Sequence, residues 1–215
     1  LWQQITGEAL VGDYVPLKLK KIPSQIISFK QFYTAYPNGK VLSRNTGYSR
    51  PYGRNPYRGY DNINSRPFLF KGKLDNRLPP MERLVVVEYK GSTKAYPFSS
   101  SKKACVINDT VSDLPIVIFH TKGALSAVDN GVISRSREIG SVGVFKRPII
   151  NGKAVEFFCT NSKITDKETG TEWDITGKAV KGKLKGQKLS PVVHGTYFAF
   201  AWLAFKRNTE IVNKY

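Results

Sequence analysis

The sequence is poor in the residues that build metal and redox centres. Its 215 residues include two cysteines, Cys105 and Cys159, and two histidines, His120 and His194. No Cys-x-x-Cys or His-x-x-x-His spacing occurs, and structural zinc needs about four converging ligands. No metal site and no cofactor are therefore expected. Two cysteines are too few for a disulfide scaffold. Both lie in apolar, strand-like runs, so they read as two buried thiols, as one disulfide, or as a metal or redox pair. His120 ends a strand-like run and His194 precedes a helical one; each reads as a hydrogen-bonded structural residue. Asp166, Glu168, Glu172 and Asp174 surround Trp173 without EF-hand spacing, and read as solvated turn carboxylates.

Other absences narrow the function. There is no Gly-x-Ser-x-Gly and no Walker or dinucleotide fingerprint. No run approaches the ~20 apolar residues of a membrane-spanning helix. The first residues have neither a basic start nor an apolar run and do not read as a signal peptide. Acidic residues are scarce: 16 Asp and Glu against 34 Lys and Arg leave a formal net charge of +18. Such a surface attracts polyanions, anionic lipid or an acidic partner. The charge is scattered, and reads as a general surface property more than as a nucleic-acid footprint.

Residues 41–61 stand out instead. Arg44, Arg50, Arg54 and Arg58 alternate there with Tyr48, Tyr52, Tyr57 and Tyr60. Glycines permit turns, prolines block ladders, and no apolar periodicity runs through. The stretch predicts a long, ordered loop. Arginine forks bind carboxylate or phosphate, and tyrosines offer flat faces for stacking. These eight residues are the candidate binding site for an anionic ligand or partner. The alternative is that Arg-to-carbonyl bonds and ring packing merely lock the loop.

The rest reads as a duplicated β-rich unit. Trp2 aligns with Trp173, Ile5-Thr6-Gly7 with Ile175-Thr176-Gly177, Gly12 with Gly182, Leu19 with Leu189 and Phe29 with Phe198, at an offset held between 169 and 171. Such a register marks an internal repeat. One short helix is expected in each copy. The first opens on a Ser28-x-x-Gln31 capping box, with Phe29, Phe32, Tyr33 and Tyr36 on one apolar, core-facing stripe. The second takes Thr196 as its cap and repeats the stripe at Phe198, Ala201, Trp202 and Phe205. Residues 41–42 and 211–212 read as short strands. Between the copies, residues 84–89, 93–98, 115–120 and 124–129 read as strands. Residues 142–146 and 154–159 are expected to be the arms of a hairpin turning at Asn151-Gly152.

The fold expected is thus mainly β. Residues 1–42 form the end of a first repeat, 43–82 the Arg/Tyr-rich loop, and 83–215 a second, complete repeat packed with it. The first repeat lacks a counterpart of residues 84–173. A tail of its size does not bury a sufficient core alone, so another chain, or a segment ahead of Leu1, is expected to complete it. Exposed apolar surface is expected around Trp2, Ile5 and Phe29.

The stretch Thr-Gly-Thr-Glu-Trp-Asp, followed by Thr-Gly-Lys-Ala-Val-Lys-Gly-Lys-Leu-Lys-Gly-Gln-Lys-Leu, resembles the bacterial and archaeal domain of unknown function 3179 family. So do Thr-Gly-Tyr-Ser-Arg, Tyr-Gly and Asn-Pro-Tyr within residues 42–60. The resemblance covers nearly the whole chain. It implies an extracytoplasmic home, because many members look secreted or lipid-anchored. Leading half-units of that family often carry Trp-His-Glu before Asn-Asp, and later Cys-Pro-Leu-Cys. Here Asn108-Asp109 is kept, Ala104 and Cys105 precede it, and His120-Thr121-Lys122-Gly123 occupies the second place. The metal or redox chemistry those motifs imply is absent or degenerate in this chain.

The function expected is a non-catalytic binding or structural protein of an extracytoplasmic assembly. A metal- or redox-linked enzyme with its active residues in the absent half, and a nucleic-acid-binding protein, are the alternatives.

Overall fold

A computed structural model describes residues 1–213. Strands β1 (Trp2–Gln3) and β2 (Glu8–Ala9) form a short hairpin, and helix α1 (Phe29–Ala35) follows. Among the described residues no helix or strand lies between α1 and β3 (Arg83–Tyr89). β3 turns into β4 (Ser92–Pro97), which runs straight into α2 (Phe98–Ala104). Strands β5 (Val106–Val111) and β6 (Leu114–Thr121) pair next. A loop with one 3-10 turn leads to β7 (Ser141–Lys146) and to the two-residue strands β8 (Ile149–Ile150) and β9 (Lys153–Ala154). Then come β10 (Phe157–Thr160), β11 (Lys163–Asp166), β12 (Glu172–Trp173) and β13 (Ala179–Lys181). The described chain closes on β14 (His194–Phe198), α3 (Ala199–Phe205) and β15 (Glu210–Ile211).

Period-two patterning explains how these elements stack. In β3, Val85 and Val87 face one cluster, while Leu84 and Val86 face another. In β6, Ile116 and Ile118 join the cluster of Val85 and Val87, while Val117 and Phe119 point the other way. Successive side chains of a strand leave opposite faces, so both strands are buried on both sides. The layers are therefore α3, the sheet β14-β3-β4-β15, the sheet β5-β6-β7, and the sheet β10-β11-β12-β13. A continuous apolar run such as Leu84-Val85-Val86-Val87 marks a strand with no wet face. β15 adds to β4 in parallel; the other ladders are antiparallel.

Helix α1 starts as its sequence dictates. The Ser28 side chain accepts from Gln31 N, and Gln31 Oε1 accepts from Ser28 N at 2.9 Å. Gln31 also donates to Thr121 Oγ1 and to the Lys122 carbonyl, tying the helix to the end of β6. Its aromatic stripe is not core, however. Only Ala35 of the helix is buried, and Phe29 is 68% exposed. Trp2 is exposed as expected, whereas Ile5 is half-buried against the cluster of Trp202 and Leu203.

Other expectations change with tertiary context. There are three short helices, so the region after residue 82 holds two; α2 starts at Phe98, where a strand was expected to end. Thr196 does not cap α3. It pairs with Val85 inside β14, and Phe198 takes the N-cap position without a side-chain bond. Buried Ala199, Trp202 and Leu203 carry the inner face of α3, while Phe205 is exposed. Residues 124–129 form a loop with a single bridge, Leu125 to Glu138. Asn151-Gly152 does turn a hairpin, but its arms are only β8 and β9. The longer neighbours go elsewhere: β7 pairs with β6, and β10 with β11. A strand forms beside residues 211–212, but as β15 it covers Glu210–Ile211; residues 41–42 belong to no strand and are exposed.

Of the readings open for the cysteines, the disulfide is the one found. Cys105, the C-cap of α2, is bonded to Cys159 of β10, with Cα atoms 6.0 Å apart across 54 residues. The bond staples the β5–β7 sheet to the β10–β13 sheet. Closing a loop of that length restricts the unfolded chain by about 4 kcal/mol. Reduction, or joint Cys105→Ala and Cys159→Ala replacement, is expected to lower stability by about 2–4 kcal/mol, read from the midpoint of denaturant unfolding.

Candidate functional site

The Arg/Tyr loop is held by its backbone, not by its arginines. Asn55 N donates to the Gly131 carbonyl, Gly59 N to Asp129 and Tyr60 N to Val128, while Ile133 N returns a bond to the Gly53 carbonyl. Asn55, buried, also caps Tyr57 N through its side-chain oxygen. Residues 53–61 therefore lie along residues 128–133. Gly131 matters here because the stem of Arg58 crosses it; an added Cβ would come 3.0 Å from Arg58 Cδ. Tyr60 is half-buried, edge-on to Tyr57 and to Phe198.

The eight residues expected to bind fall into two groups. Tyr57, Arg58 and Tyr60 line one open groove of about 360 Å³, together with Arg66 and Phe68. Arg44, Tyr48, Arg50, Tyr52 and Arg54 are exposed outside it. Among the described residues none of the four arginines forms an ion pair or donates a side-chain hydrogen bond. The Arg-to-carbonyl locking considered for this loop is thus not what orders it.

The loop ends at a feature the sequence did not single out. Asp61 has no solvent exposure, and its Oδ2 meets Arg83 Nη2 at 2.7 Å and Arg137 Nη2 at 3.0 Å. Ser126 donates to the same oxygen. Burial pushes the Asp61 carboxyl up, but the Ser126 hydroxyl and the two guanidiniums outweigh it and hold the group below its ordinary value. The guanidinium of Arg83 also sits 4.9 Å from the centroid of Phe198. The signal available in sequence was an aspartate closing a basic stretch; its two partners lie 22 and 76 residues further on.

The histidines are structural. His120 Nδ1 shares a hydrogen bond of 2.8 Å with Ser101 Oγ, and His194 Nδ1 bonds to the Val192 carbonyl at 2.8 Å. Burial lowers the His120 pKa to about 4, opposed by the Ile139 carbonyl and the Glu138 carboxylate; His194 is shifted the same way by burial. Around Trp173 the carboxylates serve turns. Asp166 is buried, not solvated, and accepts from Trp173 Nε1 and from Thr169. Asp174 accepts from Thr176 and Lys178. Among the described residues no three His, Cys, Asp or Glu side chains converge as a cation site. No described helix is long and apolar enough to cross a membrane.

Fold and site together define a class: a layered, mainly β protein with a basic, tyrosine-bearing loop anchored on a buried carboxylate. The chain belongs to the family described as Protein of unknown function (DUF3179), whose match spans residues 1–209. No curated protein and no solved structure matches it significantly.

Replacing Asp61 with Asn leaves two guanidiniums facing each other without their counter-charge. It is expected to cost about 3–5 kcal/mol in chemical denaturation. His120 gives the pH-dependence. The unfolded imidazole takes up a proton near pH 6.5, while the folded one resists it down to about 4. Stability is therefore full above the unfolded value and falls between these limits, by on the order of 3 kcal/mol. His120→Gln, which keeps a polar partner for Ser101, is expected to flatten that part of the stability profile.

Proposed function

We propose that this chain is a non-catalytic binding protein of an extracytoplasmic assembly. It is built on a duplicated unit, its first copy is completed by another polypeptide segment, and its basic loop meets an anionic partner. One observation carries the proposal: two hairpins of the same design have very different surroundings. In the first, Trp2 pairs with Ala9, Ala9 N donates to the Leu17 carbonyl, and Leu19 N donates to Gly7. In the second, Trp173 pairs with Ala179, Ala179 N donates to Gln187, and Leu189 N donates to Gly177. Gly12 and Gly182 take φ of 101° and 103°.

The second hairpin has β11 along its edge, with Ile164 opposite Trp173. β1 pairs with β2 alone. The same contrast recurs twice. β14 pairs with β3, while residues 24–28 form no ladder; β15 pairs with β4, while residues 41–42 form none. Burial follows pairing. Trp173 is 6% exposed and Trp2 39%; Leu189 is 3% exposed and Leu19 58%. An open edge beside so much apolar surface is a template for strand addition. A segment with the pattern of β3, β4 and the β10–β11 hairpin would satisfy all three places at once.

The loop supports the second half of the proposal. Its arginines are unpaired among the described residues, and the groove of Tyr57, Arg58, Tyr60 and Arg66 combines two guanidiniums with flat rings. Carboxylate or phosphate groups suit it. The disulfide fits a compartment outside the reducing cytoplasm.

Two measurements test the proposal. In native material the chain is expected to run as a complex with Trp2 shielded from acrylamide quenching; a lone monomer with Trp2 open to quencher rejects it. Joint replacement of Arg50, Arg54 and Arg58 by Ser is expected to leave stability within about 0.5 kcal/mol per site. The same variant should weaken capture of the anionic partner by about tenfold or more, a change of about 1.4 kcal/mol. Undiminished capture rejects the role of the loop.

A further inference from the structure

We propose that the cavity beside Arg83 binds a small monocarboxylate with an apolar body. The cavity holds about 200 Å³. Phe98, Val128, Ile139, Tyr197 and Phe198 wall it largely with carbon, and Arg83 is the one charged side chain on its lining.

The chemistry of Arg83 selects the ligand. Its Nη2 is engaged by Asp61 and by Ser126 Oγ at 3.0 Å. Nε and Nη1 have no hydrogen-bond partner among the described residues, and neither is sealed from accessible space. The guanidinium is held against the ring of Phe198, and the side chain is 12% exposed. Its position is thus fixed before any ligand arrives. One carboxylate, Asp61, serves two guanidiniums, Arg83 at 2.7 Å and Arg137 at 3.0 Å, so the cluster as a whole keeps one positive charge. Arg137 is half-exposed, whereas Arg83 is largely buried and lines the cavity. Beside apolar walls a charge-assisted bond to its unengaged N–H groups is strong.

Small-molecule sites combine apolar walls with a few placed polar groups, and this cavity has that composition. Its volume limits the ligand to a short branched or single-ring acid. A dicarboxylate would bury a second charge with no partner. The cavity shares no lining residue with the groove on the Arg/Tyr loop; the loop supports it through Asp61 behind Arg83 and through Tyr60 edge-on to Phe198.

Titration of the chain with benzoate, with 2-methylpropanoate and with neutral benzamide, followed by NMR, tests this. Saturable binding of at least one acid is expected, with benzoate about tenfold or more tighter than benzamide. Ala127→Trp fills the mouth from its exposed rim, leaves the Asp61 cluster intact, and is expected to abolish binding. Arg83→Lys keeps the charge but loses the fork, and is expected to weaken binding about tenfold. Absence of saturable binding by both acids, equal affinity for benzoate and benzamide, or undiminished binding to the folded Ala127→Trp variant would each overturn the proposal.

Discussion

A single carboxylate sealed from water organises the end of the Arg/Tyr loop and the start of β3. Asp61 cannot stay charged in that position unless strong donors surround it. Arg83, Arg137 and Ser126 supply them from one strand and one loop. The consequences run outwards. Arg83 is held through Nη2, and its side chain lies on the lining of the cavity. The end of the Arg/Tyr loop is fixed in place, so Tyr60 comes edge-on to Phe198. Backbone bonds from Asn55, Gly59 and Tyr60 then extend the contact along residues 128–131. A loop held this way keeps its arginines free, because none of them is needed to order it.

The second constraint is the unpaired strand edge. Every buried backbone N–H and C=O needs a partner, and the layers after residue 82 meet this requirement with ladders on both sides of β3 and β6. The first forty residues have only the two-stranded hairpin β1–β2 and helix α1, without such ladders. Their attachments to the rest are largely side-chain ones: Gln25 to the Val142 and Ile175 carbonyls, Gln31 to Thr121, Lys188 to the Tyr36 hydroxyl, and Lys21 to Glu88. Ile5 alone carries that hairpin onto the cluster of Trp202. Polar pins position the segment without covering it, which is why Phe29 and Tyr33 stand in solvent although their spacing is that of a core-facing stripe.

Local physics was legible in the sequence wherever it decided the outcome. The Ser28–Gln31 capping box and the apolar runs of β3 and β6 depend on residues close in the chain, and each stands as read. The Asn151-Gly152 turn was legible too, but its strands were not. Choosing partners for β7 and β10 depends on layer stacking, which periodicity does not encode. Thr196 has the chemistry of an N-cap, yet pairing with Val85 overrides it. Helix α2 was hidden because Phe98-Ser-Ser-Ser-Lys-Lys-Ala carries no amphipathic stripe; the disulfide and the Ser101–His120 bond fix it from outside. The loop arginines were found by composition. The Asp61–Arg83–Arg137 cluster was not, because its members are far apart in sequence and unremarkable one by one.

The net charge takes on a sharper meaning against this background. Ten of the sixteen acidic residues form ion pairs within the chain. They answer Lys18, Lys21, Lys94, Arg77 and others, largely around the layers and their hairpins. None reaches Arg44, Arg50, Arg54 or Arg58. Internal pairing removes part of the excess charge around the layers, and the loop arginines are among the many basic side chains it leaves without an acidic partner among the described residues. Exposed pairs contribute little to stability, so their larger effect is on where the field is strongest. The loop arginines keep their charge beside aromatic faces, and at physiological salt that charge is screened within about 8 Å.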